Sequence, residues 1–319
     1  MTDGVIKLYG KQSETELLKE TALGGRLPHG IMLTGEKNIG KRTFAKWCAM
    51  LYLCESPESD GGPCGKCRSC KNIAAGEHAD VLYIKKEKYT KDSVKQSVRD
   101  ASFLPNDSDT RIIIYEDCEE MTEEQQNVLL KAIEEPSSHN RYIFTCSNPS
   151  AVLETIKSRL VSIPVSAMTD QECAACLEDK GISTKDAAEA VERYGANPGK
   201  ILDILADETR KKLYDTSEKL IYAMSERDEY AAAVALTECG TREELSGVVT
   251  IVYECVTEAV TALEKGNMPV RSPVLSKVAK TKLYRLSEVL AEFMLLDGAN
   301  INVKLMQAYL PARLSEAVE

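Results

Sequence analysis

Four cysteines, Cys54, Cys64, Cys67 and Cys70, follow the spacing C-x9-C-x2-C-x2-C. Two-residue gaps let thiolates converge on one tetrahedral Zn2+ with backbone N–H groups turned toward sulfur. Gly61, Gly62, Pro63 and Gly65 supply the tight turns between them. The segment is too polar to build a core, so a metal would supply its folding energy. Four protein ligands would close the coordination shell, making the site structural rather than catalytic. The plainer reading is four unpaired loop thiols; a redox role is weaker, because four ligands leave no free reactive pair.

A second pattern is Gly35-Glu-Lys-Asn-Ile-Gly40-Lys41, the G-x-x-x-x-G-K frame of a phosphate loop between a strand and a helix. Its glycines let backbone N–H groups and the helix N-terminus face phosphate, with Lys41 reaching the outer phosphates. The next residue should carry a hydroxyl for Mg2+, but it is Arg42, which has no lone pair to offer. Thr43 follows, one helical step and about 100° further round. Downstream, the apolar run RIIIY ends in Glu116-Asp117, the place where an Asp would hold Mg2+ and a following Glu would position water. Here the order is reversed, and the shorter Asp would hold a water less well. The plainer readings are a glycine turn before an ordinary helix and a solvated acidic cluster. The expectation is a phosphate loop by descent, with binding of ATP and Mg2+ impaired and the chain at most a weak ATPase.

The elements that must position these groups alternate. GIMLTG (30–35), DVLYIK (80–85), RIIIYED (111–117), RYIFTCS (141–147) and LVSIPV (160–165) read as five strands of nearly continuous apolar character. Such strands belong to a parallel sheet covered on both faces. Helical stretches lie between them at 41–52, 92–102, 122–134 and 151–158. From Thr169 onward no strand is evident. Residues 169–206 read as three short helices, with breaks at Gly181 and at 195–199, and 207–319 as about five longer ones; 266–273 is the clearest internal loop. The expected fold is therefore α/β plus all-α. It has an α/β domain over 1–166 with a zinc module at about 53–78, a small helical lid over 167–206 and a C-terminal helical bundle over 207–319.

The net charge of −10 gives no global attraction to nucleic acid. No segment resembles a signal peptide or an uninterrupted membrane span, so a cytoplasmic protein is expected. Eleven cysteines then argue for thiols or metal rather than disulfides. Cys48, Cys173, Cys176 and Cys255 sit in helical patterns and read as small core residues.

LPHGIMLTGEKNIGK, the cysteine insert after the phosphate-loop helix, NVLLKAIEEP (127–136), TIKSRL (155–160) and NINVKLMQAYL (300–310) together resemble bacterial clamp-loader subunits, the gamma/tau and delta-prime group of DNA polymerase III, along the whole chain. The resemblance implies an AAA+ module with a five-stranded parallel sheet, a three-helix lid and a helical collar. It places Arg159, after Ser158, at the arginine-finger position that serves a neighbour's ATP, with Leu160 in place of the family's Cys. It puts a polar sensor near Ser147 or Asn148, and a sensor Arg after Gly195 where this chain offers only Lys200. Arg42, the reversed acids and the missing sensor Arg all affect the chain's own site, whereas Arg159 serves another. That combination resembles the delta-prime type. Implied partners are gamma/tau and delta-type subunits, with the sliding clamp and primed DNA reached through the assembly, and no membrane. Two alternatives stay open: an ATP-hydrolysing gamma-type subunit, and a zinc-dependent nucleic-acid binding module, against which the acidic balance argues.

Overall fold

The computed structural model describes residues 6–269, 271–295 and 302–318, so Val270, Asn300 and Ile301 of the segments named above lie outside the described residues. The chain divides into two compact units: Met1–Gly181 with Ala196–Gly199, and Ile182–Gly195 with Lys200–Glu319.

In the first unit five strands, β1 (Gly30–Thr34), β2 (Val81–Ile84), β3 (Arg111–Tyr115), β4 (Asn140–Cys146) and β5 (Val161–Pro164), form one sheet in the order β2-β3-β4-β1-β5. Every pairing is parallel. Their unbroken apolar character follows from cover on both faces. Ile112 and Ile114 join Ile31, Leu33 and Ile143 against Phe44, Trp47 and Met50 of helix Lys41–Leu53. Ile113 and Tyr115 point the other way, with Met32, Tyr142 and Phe144, against Leu129 and Ile133 of helix Glu123–Glu134. Period-two alternation thus distributes one apolar string between two cores. Truncating any of these fully buried side chains to Ala costs about 2–5 kcal/mol.

Helix Glu123–Glu134 starts where Thr122 and Gln125 form a reciprocal capping box, and Thr90 with Ser93 does the same for helix Lys91–Ala101. The helix expected over 151–158 is shorter than its pattern: it shrinks to Glu154–Lys157, preceded by a 3-10 turn at Pro149–Ala151. Between them Val152 and Leu153 are extended (ψ 134° at each), and Gln126 holds that break: its amide donates to the Ala151 carbonyl (2.9 Å), which a longer helix would have paired, and accepts from the Leu153 N–H (2.8 Å). Two helices carry too faint a pattern to be read from sequence. Gln12–Leu23 buries only Glu14 and Leu18, and Arg68–Ala75 lies inside the cysteine segment with Cys67 as its cap.

Of the three short helices expected over 169–206, Asp170–Glu178 belongs to the first unit and Thr184–Tyr194 to the second. The second unit continues with Glu208–Glu226, Glu229–Thr237, Arg242–Glu264, Lys280–Leu295 and Val303–Val318. Leu245, Val248, Val249, Val252 and Val256 recur at three- and four-residue steps and form a stripe buried in its core. Arg242–Glu264 is, among the described residues, the one helix long and apolar enough to cross a membrane by length and composition.

Candidate functional site

The phosphate-loop frame occupies the turn between β1 and helix Lys41–Leu53. Gly40 sits at φ +98°, a left-handed conformation that favours glycine, and Asn38 at φ +64°. A Cβ at Gly35 would approach the Val165 carbonyl to 2.9 Å, so the loop can pass there only without a side chain. Lys41 is turned back into this loop. Its Nζ donates to the carbonyls of Gly35 (2.8 Å) and Glu36 (2.6 Å) and to Ser147 Oγ (2.8 Å), which uses all three ammonium donors. Burial lowers the Lys41 pKa, opposed by the negative charge of Asp117 and Glu119. Ser147 thus meets Lys41, while Asn148 caps the neighbouring turn through the Ser150 N–H.

Parallel pairing of β3 beside β4 delivers Glu116 and Asp117 to the same end of the sheet. Asp117 has φ +50° and donates its N–H to Thr145 Oγ1 at 2.8 Å. Arg42 reaches both acids: its Nε lies 3.2 Å from Glu116 Oε2 and its Nη2 3.1 Å from Asp117 Oδ2. Lys86 adds a second cation at 3.6 Å from Asp117. Burial raises the Glu116 carboxyl above its ordinary value, and the Arg42 charge opposes that rise. Thr43 is exposed; the side chains that meet the acidic pair are Arg42 and Lys86. These residues do not fit Mg2+. The two carboxylates already share a guanidinium, and position 42 offers a donor where the ion needs an oxygen.

On the same unit, Arg159 follows the short helix Glu154–Lys157. Its guanidinium donates to the Thr155 carbonyl (2.8 Å) and Ser158 Oγ (3.2 Å), and pairs with Glu134 of the EEP string at 2.7 Å. The pair is open to solvent, with the Arg159 and Glu134 side chains 36% and 42% exposed. Leu160 packs so closely on β1 that a Cβ at Gly30 would come within 2.4 Å of it. After Gly195, Asn197 donates to the Lys37 carbonyl of the phosphate loop at 2.8 Å. Lys200 pairs with Glu254 at 2.7 Å in the second unit.

The cysteine spacing brings its thiols together. The Sγ atoms of Cys54, Cys64, Cys67 and Cys70 all lie within 4.8 Å of one another. Cys54 ends helix Lys41–Leu53, and Cys67 caps Arg68–Ala75, which carries Cys70. Backbone N–H groups point at sulfur, from Cys64 to Cys54 (3.3 Å), from Lys66 and Cys67 to Cys64 (3.4 and 3.3 Å), and from Cys70 to Cys67 (3.4 Å). The N–H groups of Lys66 and Cys67 lower the Cys64 thiol to about 7, whereas burial raises Cys54 and Cys70. Four sulfurs with N–H donors behind them fit a metal held structurally. Behind the cluster, Ser69 links Glu55 (3.0 Å) to buried His78 (3.2 Å), whose Nδ1 accepts the Asp80 N–H at 3.1 Å. Lys86, Glu119 and Thr145 take part in these sites with no local pattern to mark them, and Glu134 lies in the quoted EEP string without any sign that it would pair with Arg159.

A parallel sheet with a phosphate-loop turn, acids at the adjacent strand end bridged by an arginine, and a thiol cluster define an α/β module of phosphate-loop type. The family described as DNA polymerase III, delta subunit, matches residues 10–169, half of the chain, and the protein belongs to it. It is similar to the DNA polymerase III subunit delta′ of Pseudomonas aeruginosa, 34% identical over 187 residues, covering 56% of this chain and 55% of that protein. It is also similar to the delta′ subunit of Bacillus subtilis (27% over 189 residues, 56% and 57% covered) and to the gamma/tau subunit of Mycobacterium tuberculosis (27% over 209 residues, 62% and 36% covered). The chain spans about half the length of the delta′ relatives it matches.

Proposed function

We propose that this chain is a delta-prime-type subunit of the DNA polymerase III clamp loader, a scaffold that lends Arg159, steadied by Ser158, to ATP on a neighbouring gamma-type subunit and does not fire itself. The observation that carries this reading is the Arg42 guanidinium lying against both Glu116 and Asp117. A tethered cation there supplies the charge that Mg2+ would bring and leaves the nucleotide no metal to share. Gly35, Gly40, Lys41 and Thr43 then keep the shape of a nucleotide site without its chemistry. Arg159 is placed in the opposite situation. Its exposed pair with Glu134 is worth about 0–1 kcal/mol, whereas an arginine finger against a transferring phosphoryl group is worth about 10³–10⁵ in rate. A neighbour's phosphates can therefore draw Arg159 away from Glu134.

In this reading residues 1–166 form the AAA+ module, with Zn2+ on Cys54, Cys64, Cys67 and Cys70 as a structural ion. Residues 167–206 act as a lid and 207–319 as the collar that joins gamma/tau and delta-type subunits. Contact with the sliding clamp and primed DNA comes through the assembly, in the cytoplasm. The alternative, an ATP-hydrolysing gamma-type subunit, needs a hydroxyl and free acids where Arg42 now sits. The test is ATP turnover by the isolated chain and by the assembled loader, each with and without Arg159→Ala. The expected result is no turnover by the isolated chain and a loss of DNA-stimulated turnover and clamp loading in the variant assembly. Robust turnover by the isolated chain, or an unaffected variant loader, would overturn it.

A further inference from the structure

Where the acidic strand end meets β4, residues 117–119 face residues 145–147 as three successive rungs. The Asp117 N–H donates to Thr145 Oγ1 at 2.8 Å, and the Ser147 N–H donates to Glu119 Oε1 at 2.8 Å. Between these two bonds the remaining rung is Cys118 and Cys146, only 2% and 0% exposed. The two thiols and a carboxylate oxygen of Glu119 lie within 4.8 Å of one another. With Zn–S bonds of about 2.3 Å and Zn–O bonds of about 2.0–2.2 Å, a tetrahedral ion separates its ligand atoms by roughly 3.5–3.8 Å, so small side-chain adjustments suffice. Glu119 Oε2 is itself buried without a hydrogen-bond partner. A buried carboxylate oxygen left unpaired is costly unless something binds it.

We infer that Cys118, Glu119 and Cys146 form a second metal site, separate from the four-cysteine cluster, for a soft divalent cation of the zinc and cadmium class. Two thiols and one carboxylate select such an ion over Mg2+ or Ca2+. Binding displaces the two thiol protons to solvent and forms two metal–sulfur bonds and one metal–oxygen bond, with no change of oxidation state. Two thiolates and a carboxylate around a divalent ion leave one negative charge. Lys41 is placed to balance it: its ammonium is bonded to Ser147 Oγ, and Ser147 follows Cys146 in the chain and donates its N–H to Glu119. The ion would pin the ends of β3 and β4 together beneath the phosphate loop. The flanking hydrogen bonds already hold the ligands in register, so little ordering has to be supplied on binding.

The test is titration of the reduced, metal-stripped full-length chain with Co2+, followed by thiolate-to-metal absorption, and with Cd2+ by metal analysis after gel filtration. The expected result is two equivalents per chain, the second with a ligand-field spectrum of fewer sulfurs than the first. Cys118→Ala/Cys146→Ala should retain only the four-sulfur equivalent, and Cys64→Ser/Cys67→Ser only the other. Glu119→Gln, which keeps the shape and packing, should weaken the second equivalent by about tenfold or more; circular dichroism confirms that it folds. Saturation of the wild type at one equivalent overturns the assignment, as does a second equivalent that survives unchanged in both Glu119→Gln and the Cys118/Cys146 variant.

Discussion

Replacing Arg42 with Thr restores the hydroxyl of the phosphate-loop frame and removes the guanidinium from between two acids. The substitution abolishes the ion pairs at 3.2 Å to Glu116 and 3.1 Å to Asp117, where the side chains are 51% exposed for Arg42, 9% for Glu116 and 19% for Asp117. Half-solvated pairs contribute about 1 kcal/mol or less each, so the variant loses about 1–2 kcal/mol in the absence of divalent ions. At roughly 2–4 °C per kcal/mol for a unit of this size, the unfolding temperature falls by about 2–8 °C. The pH dependence has a definite sign. Burial raises the Glu116 carboxyl above its ordinary 4.5, and Arg42 opposes that rise. Without Arg42 the folded pKa climbs further, so the native state holds more protons than the unfolded chain. The deficit is therefore small below the ordinary carboxylate value and grows as pH rises through the raised folded value. Mg2+ with nucleotide should reverse it, because a ligand at 100 times its Kd stabilises by about 2.7 kcal/mol. Thermal unfolding of wild type and variant, with chelator, with Mg2+ and with Mg2+ plus a non-hydrolysable ATP analogue, reads all of this. If the variant is as stable as wild type in chelator near pH 8, or wild type gains as much from the Mg2+-nucleotide as the variant does, the assignment of Arg42 as the resident cation is refuted.

Arg159→Ala should depress DNA-stimulated turnover of the assembled loader, whereas Glu134→Gln, which removes only its exposed partner, should not; equal loss in both variants would show that the pair matters as a pair. Chelation under reducing conditions, or Cys67→Ser, should open the segment around 54–70 to protease, since thiolate–zinc binding supplies about 10–16 kcal/mol in small peptides; an unchanged digestion pattern would argue against a structural ion. Asp80, fully buried, accepts from the N–H groups of Asn106 (2.5 Å), Asp107 (2.8 Å) and Ser108 (3.0 Å) and from Ser108 Oγ (2.9 Å). Burial alone would raise its pKa, but those donors win and hold it below the ordinary 3.8. Its contribution is therefore present above that value and lost as pH falls through the lower folded value. Asp80→Asn should cost about 3 kcal/mol in denaturant unfolding near neutral pH and flatten the acid limb; a cost below about 1 kcal/mol would show that the loop it anchors does not need it.

Much of this is legible locally. The strands read out because a continuous apolar string of four to seven residues has one stable use, a sheet covered twice. The four cysteines read out because chain spacing alone constrains where their sulfurs can go, and the glycine frame because only glycine tolerates its turns. The true length of the short helix after β4 does not read out, because Gln126, 25 and 27 residues away, bonds Ala151 and Leu153 on either side of an extended break.

What the residues determined by themselves was the kind of site: a phosphate-loop turn lacking a hydroxyl, acids in reversed order, and a set of sulfur ligands. What only tertiary structure decided was which charge meets which. Arg42 finds Asp117 across 75 positions, and Lys41 finds Ser147 across 106. Those meetings depend on β3 lying beside β4 and β4 beside β1. Backbone preference is set by near neighbours along the chain, whereas electrostatic partnership is set by distance in space, and strand order is what converts one into the other.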